Sequence, residues 1–212
     1  MPNPTPKPVV ADLSHYSWNG ATPPDFAKAK AAGTLGIIYK ATEGATVVDT
    51  TYAQSRKLAE KAGLLWGAYH FGTAADAKLQ ANAFLKAANP AENTMVALDF
   101  EKNGTNSMTA TIALDFLHEI EKRLGRKPKL YTGPYMYELY GKAPAKDFKP
   151  YSLWWSRYAD APDVHPTWSQ YWLWQYTDGH NGAKPHDVPG LGFCDCNTFD
   201  GDAFSLITSW TT

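Results

Sequence analysis

From residue 9 onward, short runs rich in β-branched and aromatic residues alternate with amphipathic stretches of helical period. That alternation confines most of the chain to parallel strands joined by crossover helices. VVADLS (9–14) reads as the first strand, and PPDFAKAKAAG (23–33) as a helix opened by proline and closed by glycine. LGIIYKATEG (35–44), LLWGAYHFG (64–72), TMVALDFE (94–101) and PKLYTG (128–133) read as strands two to five. Helices are expected over 49–63, 75–89 and 107–125; the last places Ile112, Phe116, Ile120 and Leu124 on one face. The rhythm then changes. YSLWWSRYA (151–159), YWLWQYTDG (171–179) and GFCDCNTF (192–199) read as three strands joined by Pro- and Gly-rich loops without long helices. The count is eight strands in one α/β domain over 9–212, expected to be parallel throughout, after a disordered Pro-rich leader over 1–8.

A chain of 212 residues suffices for one such barrel. With 44% hydrophobic and 19% charged residues and a formal net charge of −1, neither disorder nor a polyanion-binding surface is indicated, so no nucleic-acid partner is expected. The start, MPNPTPKPVV, has no ordinary secretory signal, and no apolar run is long enough for a membrane segment. The two cysteines, Cys194 and Cys196, have Cα atoms about 6.6 Å apart in an extended strand, at the long end of disulfide reach. They are expected as two reduced thiols; no further Cys/His cluster completes a metal site. Neither a metal nor a cofactor is expected. Aromatic residues reach 14%, and six of the eight Trp lie in the last third, equally consistent with sugar-binding faces and with large core side chains.

A parallel barrel carries its chemistry at the C-terminal ends of its strands. In VALDFE (96–101), alternation turns Val96, Leu98 and Phe100 toward the helices, and Ala97, Asp99 and Glu101 toward the axis and mouth. Like charges that close raise the pKa of at least one carboxyl, which lets an acid stay protonated near neutral pH. Alone, a D-x-E strand end is most often a solvated end or an ion pair. Other strand ends weigh against that here. Asp12 ends strand one, Lys40 and Glu43 follow strand two, Tyr69 and His70 lie on strand three, Tyr131 on strand five, Gln175 and Tyr176 on strand seven, and Asp195 and Asn197 on strand eight. An acid-rich, aromatic-lined cleft fits glycoside hydrolysis, which needs a proton donor and anionic stabilisation of an oxocarbenium-like state.

DLSHY, YKATEG, GAYHF, ALDFE, LYTG, LWWSRY, WQYTDG and CDCNTFDGD occur in this order across residues 9–205. In this the chain resembles the glycoside hydrolase family 25 lysozymes, the muramidases of Chalaropsis and Cellosyl type. The resemblance implies a flattened (β/α)5(β)3 TIM-like barrel and cleavage of the β-1,4 bond between N-acetylmuramic acid and N-acetylglucosamine in bacterial peptidoglycan. It implies Glu101 as general acid, Asp99 as the second carboxylate of the pair, and Asp12 and Asp195 as flanking acids. Tyr69, Tyr131, Gln175, Trp155 and Asn197 are candidate sugar contacts by position; Lys40 and Glu43 are candidates too, or equally a rim salt bridge. His15 and His70 are expected to be structural or substrate-lining. Two departures stand out: the first motif here continues SWNGATPP, without the family's usual glutamine and glycine, and Cys194 replaces the usual valine or isoleucine before the last aspartate.

Asp99 is left with two roles, direct nucleophile or orienter of the substrate's acetamido group. Two other functions stay open. A non-catalytic glycan-binding barrel has no need of Asp99 and Glu101 together, and a family 18 chitinase carries D-x-x-D-x-D-x-E, where this chain has Thr94 and Ala97 at two of the aspartates. The enzyme is expected to be a monomer acting on the cell wall, outside the cytoplasm; a phage endolysin held in the cytoplasm until release is one compatible source.

Overall fold

The computed structural model describes residues 6–7 and 9–212. The leader expected over 1–8 therefore lies outside the described residues, positions 6 and 7 excepted. Eight strands close into a barrel: β1 (Val10–Leu13), β2 (Gly36–Glu43), β3 (Leu65–Phe71), β4 (Met95–Asp99), β5 (Lys129–Thr132), β6 (Leu153–Ser156), β7 (Leu173–Thr177) and β8 (Asp195–Thr198). The ladder from β1 through β7 is parallel at every step. β8 closes the ring by pairing antiparallel with both β7 and β1.

The expectation of eight parallel strands is thus corrected at β8. A parallel return needs a crossover, usually helical, whereas residues 178–194 hold only a short ladder of Asp187–Val188 with Gly192–Phe193. The chain therefore re-enters the barrel from the end at which it left. This reversal puts the first residue of β8, rather than its last, at the mouth formed by the C-terminal ends of the other strands.

Four helices cover the outside: α1 (Phe26–Ala31), α2 (Tyr52–Lys61), α3 (Ala77–Ala88) and α4 (Ala110–Leu124). Their ends follow from local chemistry. Asp76 accepts from the backbone N–H groups of Lys78 and Leu79 to start α3, and Thr109 accepts from Ile112 to start α4. Gly125 stops α4 in the left-handed region at φ 67°. Two short helices had no clear period in the sequence: α5 (Tyr135–Tyr140) after β5, and α6 (Ala203–Ser209) after β8. Among the described residues no helix is long and apolar enough to cross a membrane.

Strand alternation divides the core into two layers. Val96, Leu98 and Phe100 pack outward with Phe84, Phe116 and Ile120 from the helices. Val10, Ile38, Met95, Ala97, Trp154 and Leu173 fill the barrel. Trp210, just after α6, closes the end opposite the mouth and donates its indole N–H to the Trp66 carbonyl at 2.9 Å. Gly36 is required there, because a Cβ at that position would lie 2.8 Å from the Trp210 ring. Lys129 also points into this end, its Nζ 4.5 Å from the centre of the Trp172 ring. With the lower barrel packed by apolar side chains around Lys129, the inward-facing acids Asp12, Asp99 and Asp195 are gathered at the top.

Candidate active site

The mouth holds a cleft of about 270 Å³ lined by Asp12, Asp99, Glu101 and Asp195, with Tyr16, Tyr69, Phe71, Tyr131, Trp154 and Tyr158 among its walls. Each acid arrives by a different piece of backbone logic. Asp12 lies on β1 and is paired in register with Asp195, the first residue of β8. Asp99 ends β4, and Glu101 follows two residues later in the loop. A larger hollow, about 490 Å³, lies at the opposite end of the barrel; its lining contains a single acid, Asp200, and so offers no carboxyl pair.

The acids are held very differently. Gln175 Nε2 donates to both oxygens of Asp12, at 3.0 and 2.9 Å, and Asn197 Nδ2 donates to Oδ2 at 2.8 Å. Gln175 is itself oriented by three hydroxyls: Tyr131 at 2.8 Å, Tyr158 at 2.9 Å and Ser156 at 3.2 Å all donate to Oε1. Occupied by those donors, the oxygen end of the amide leaves Nε2 for Asp12. Asn197 Oδ1 accepts from Trp154 Nε1 at 2.6 Å, tying the floor of the cleft to its wall. Asp12 thus carries neutral amide donors, and no cationic side chain pairs with it among the described residues.

Asp99 is the opposite case. It is 7% exposed, and its Oδ1 is buried without a hydrogen-bond partner. The Glu101 side chain makes no hydrogen bond to a described residue. A buried carboxyl oxygen left unpartnered costs free energy unless a ligand completes it. The positive charge that acts on both is that of Lys40, whose Nζ pairs with Glu43 Oε2 at 2.6 Å and sits 4.8 Å from the centre of the Phe71 ring.

Burial raises the pKa of all four acids, and neighbouring negative charges add to the rise at Asp99, Glu101 and Asp195. Asp12 is pushed up to about 6 by burial, opposed by the bonds from Asn197 and Gln175. Asp195 is pushed up to about 9 by burial and then by the charge of Asp12. Asp99 rises well above the usual carboxylate range through burial, then Glu101 and Asp12, against the pull of Lys40. Glu101 is raised by burial and by Asp12, again opposed by Lys40. The cluster therefore keeps protons toward neutral pH, and negative charge is best accommodated on Asp12 with its amide donors. Chemically, the cleft can offer a protonated carboxyl and a carboxylate charge side by side.

Of the residues singled out in the sequence, Asp12, Asp99, Glu101, Asp195, Lys40, Tyr69, Tyr131 and Gln175 line the cleft. The alternative of a rim salt bridge holds for Lys40 and Glu43, with Glu43 in an adjoining groove. Asn197 is fully buried beneath Asp12, where it supports the site and does not meet the cleft. Trp155 is corrected: it faces the helices, 1% exposed, with Nε1 donating to the Pro162 carbonyl, and Trp154 is the indole at the mouth. His70 also points outward, between Thr42 and Gln80 and stacked on Phe116, which leaves it structural. His15 donates its backbone N–H to Asp49 at 2.9 Å, with its ring Nδ1 equally close. Sequence reasoning passed over Ser14, Tyr16, Phe71 and Tyr158 as lining residues. Their signal was proximity: each lies within a few residues of an acid, a strand end or a quoted motif.

Cys194 and Cys196 are both free and buried, with sulfur atoms 3.8 Å apart, as the reduced-thiol reading expects. Cys196 faces the outer core while Asp195 between them faces the cleft.

Comparison with known proteins identifies the family and the fold. The chain is 32% identical to the uncharacterized protein YegX of Escherichia coli O6:H1 over 174 residues, 79% of this chain and 60% of that one. It thus spans about 60% of the length of the curated relatives it matches first. It is 27% identical to lysozyme M1 of Streptomyces globisporus over 215 residues, covering 92% of this chain and 69% of the relative. Among solved structures, a muramidase from Trichobolus zukalii superposes with a TM-score of 0.78 at 28% identity, over 94% of this chain and 97% of that one. A family 25 lysozyme from Aspergillus fumigatus gives 0.75 at 26% identity, over 95% and 98%. The model of the glycosyl hydrolases family 25 matches residues 11–184, and the chain belongs to that family.

Proposed function

We propose that this protein hydrolyses the glycan of bacterial peptidoglycan at the β-1,4 bond between N-acetylmuramic acid and N-acetylglucosamine. The observation that carries the reading is the convergence of Asp99 and Glu101, with Asp12 and Asp195, on one aromatic-walled cleft in which a buried oxygen of Asp99 has no partner. Family membership and the lysozymes among its relatives support the same substrate class.

On this reading Glu101 is the general acid. Burial and the charge of Asp12 keep its proton available for the leaving-group oxygen. Asp99, in its carboxylate form, is the second group at the anomeric centre: it either bonds to the carbon as the glycosidic C–O bond breaks and Glu101 passes its proton to the leaving oxygen, or orients the sugar's own acetamido group for internal attack. Asp12 supplies the lasting negative charge that steadies the oxocarbenium-like state, and Tyr69, Tyr131 and Trp154 offer faces and edges to the sugar rings. The substrate is cell-wall glycan, so the enzyme acts outside the cytoplasm, and a monomer suffices because every acid comes from one chain. The deciding experiment digests purified peptidoglycan with wild type and with Glu101→Gln and identifies the new reducing ends. Muramic acid ends from wild type and near-complete loss in the variant are expected. N-acetylglucosamine ends, or wild-type turnover in the variant, would refute the assignment.

A further inference from the structure

Beside the catalytic cleft runs a second groove of about 210 Å³, and the two share Tyr16 and Lys40 in their linings. One wall is the turn after β1, where the Tyr16 ring packs 3.9 Å from His15, centre to centre, and Tyr16 remains 84% exposed. The other wall is a short strand, Val47–Val48, folded back on the end of β2 by pairing Thr42 with Val48 and Glu43 with Val47. Both valines are about half exposed, at 50% and 53%. The ion pair of Lys40 and Glu43 joins the groove to the cleft.

The topology explains why the groove is open. β1 pairs with β2 only as far as Tyr39, and Val47–Val48 takes over alongside β2 above that point. This strand pairs with β2 alone, so its other edge has no strand beside it among the described residues. An exposed edge flanked by apolar side chains is a surface onto which an extended peptide can add. The valine wall offers a pyranose neither a flat face nor a polar partner, so a sugar would rest on the Tyr16 side alone, whereas a peptide engages both walls. Small apolar side chains of a peptide fit between the valines and Tyr16, and the Lys40–Glu43 pair offers both a donor and an acceptor to peptide amide groups.

We infer that this groove binds the peptide arm carried by the substrate's own muramic acid, making the enzyme selective for peptide-bearing glycan. The inference rests on the muramidase reading above, and continuity with the cleft is what selects the occupant. A peptide attached to a sugar in the cleft is tethered within reach of the groove, so even weak contacts act at high effective concentration.

The test uses soluble glycan strands in two forms: intact with their peptides, and stripped of them by an amidase. For wild type, kcat/KM on intact strands is expected to be about tenfold above that on stripped strands. The double variant Val47→Asp, Val48→Asp should lose that preference while cleaving stripped strands like wild type, which also reports intact folding. Equal wild-type rates on both strands, a preference for stripped strands, or a variant that loses activity equally on both would overturn the inference. Cleavage of neither strand by wild type would take down the muramidase reading itself, and this inference with it.

Discussion

Asn197→Leu tests whether the floor of the cleft is an electrostatic device or mere packing. Leucine keeps asparagine's branching and number of heavy atoms, though it is bulkier, and it removes every polar contact of a fully buried side chain; the added bulk acts equally at every pH. Trp154 Nε1, which donates to Asn197 Oδ1 at 2.6 Å, is left without that acceptor inside the barrel, at a cost of about 1–3 kcal/mol. Asp12 loses the 2.8 Å bond from Nδ2, and a hydrogen bond to a charged group contributes about 1.5–3 kcal/mol. Together these predict a loss of about 3–5 kcal/mol at pH 7, a large part of the stability of an ordinary domain. The pH dependence separates the two contributions. Asp12 titrates at about 6 in the folded chain, above its ordinary 3.8, so its ionisation lowers stability as pH rises through that window. Asn197 opposes the rise, so the variant's Asp12 titrates higher still and loses stability over a wider range. At pH 4 the carboxyl is protonated in both folded proteins and the charge-assisted part vanishes. The destabilisation should therefore be smaller at pH 4 than at pH 7, by about 1–2 kcal/mol. Urea unfolding followed by far-ultraviolet circular dichroism at the two pH values measures it. Equal losses at both, or a larger loss at pH 4, would refute an ionised Asp12 held by Asn197.

Asp12→Asn removes a charge that helps Glu101 keep its proton, so the basic limb of kcat/KM on soluble glycan should move to lower pH; a limb that stays put would contradict the coupling. Asp195 holds its proton to about pH 9 when folded, so the stability tied to it is full below about pH 4 and is lost as pH rises toward 9. Asp195→Asn should accordingly flatten the fall in Tm between pH 5 and pH 9, and an unchanged slope would show that Asp195 does not titrate in that range. Cys194 and Cys196 should resist a thiol-reactive disulfide reagent in native buffer and give two equivalents in denaturant, because both are buried; rapid native labelling would place a sulfur at the surface.

How far the site could be read from the letters depends on how many independent constraints each position carries. In VALDFE, alternation and the polarity of the final acids agree, and the outward Val96, Leu98 and Phe100 and inward Ala97 and Asp99 follow from either. What the letters obscured was the depth of Asp99: a carboxylate at a strand end reads as solvated, yet closure of the ring buries it. LWWS carries no such redundancy. Two adjacent tryptophans satisfy either register, so choosing Trp155 over Trp154 was a choice the pattern could not make, and only pairing with β5 and β7 decides which indole enters the barrel. The direction of β8 is a further degree removed, since antiparallel return is a property of the connection before it and leaves no mark within DCNT. Reversal nevertheless preserved the assignment of Asp195 to the mouth, because the acid begins the strand instead of ending it. Asn197 shows the limit from the other side: its position near an acid was legible, but its role under Asp12 exists only once β8 lies against β1. Residues that touch substrate can be sought at strand ends; residues that hold those residues emerge only from the register of strands distant in sequence.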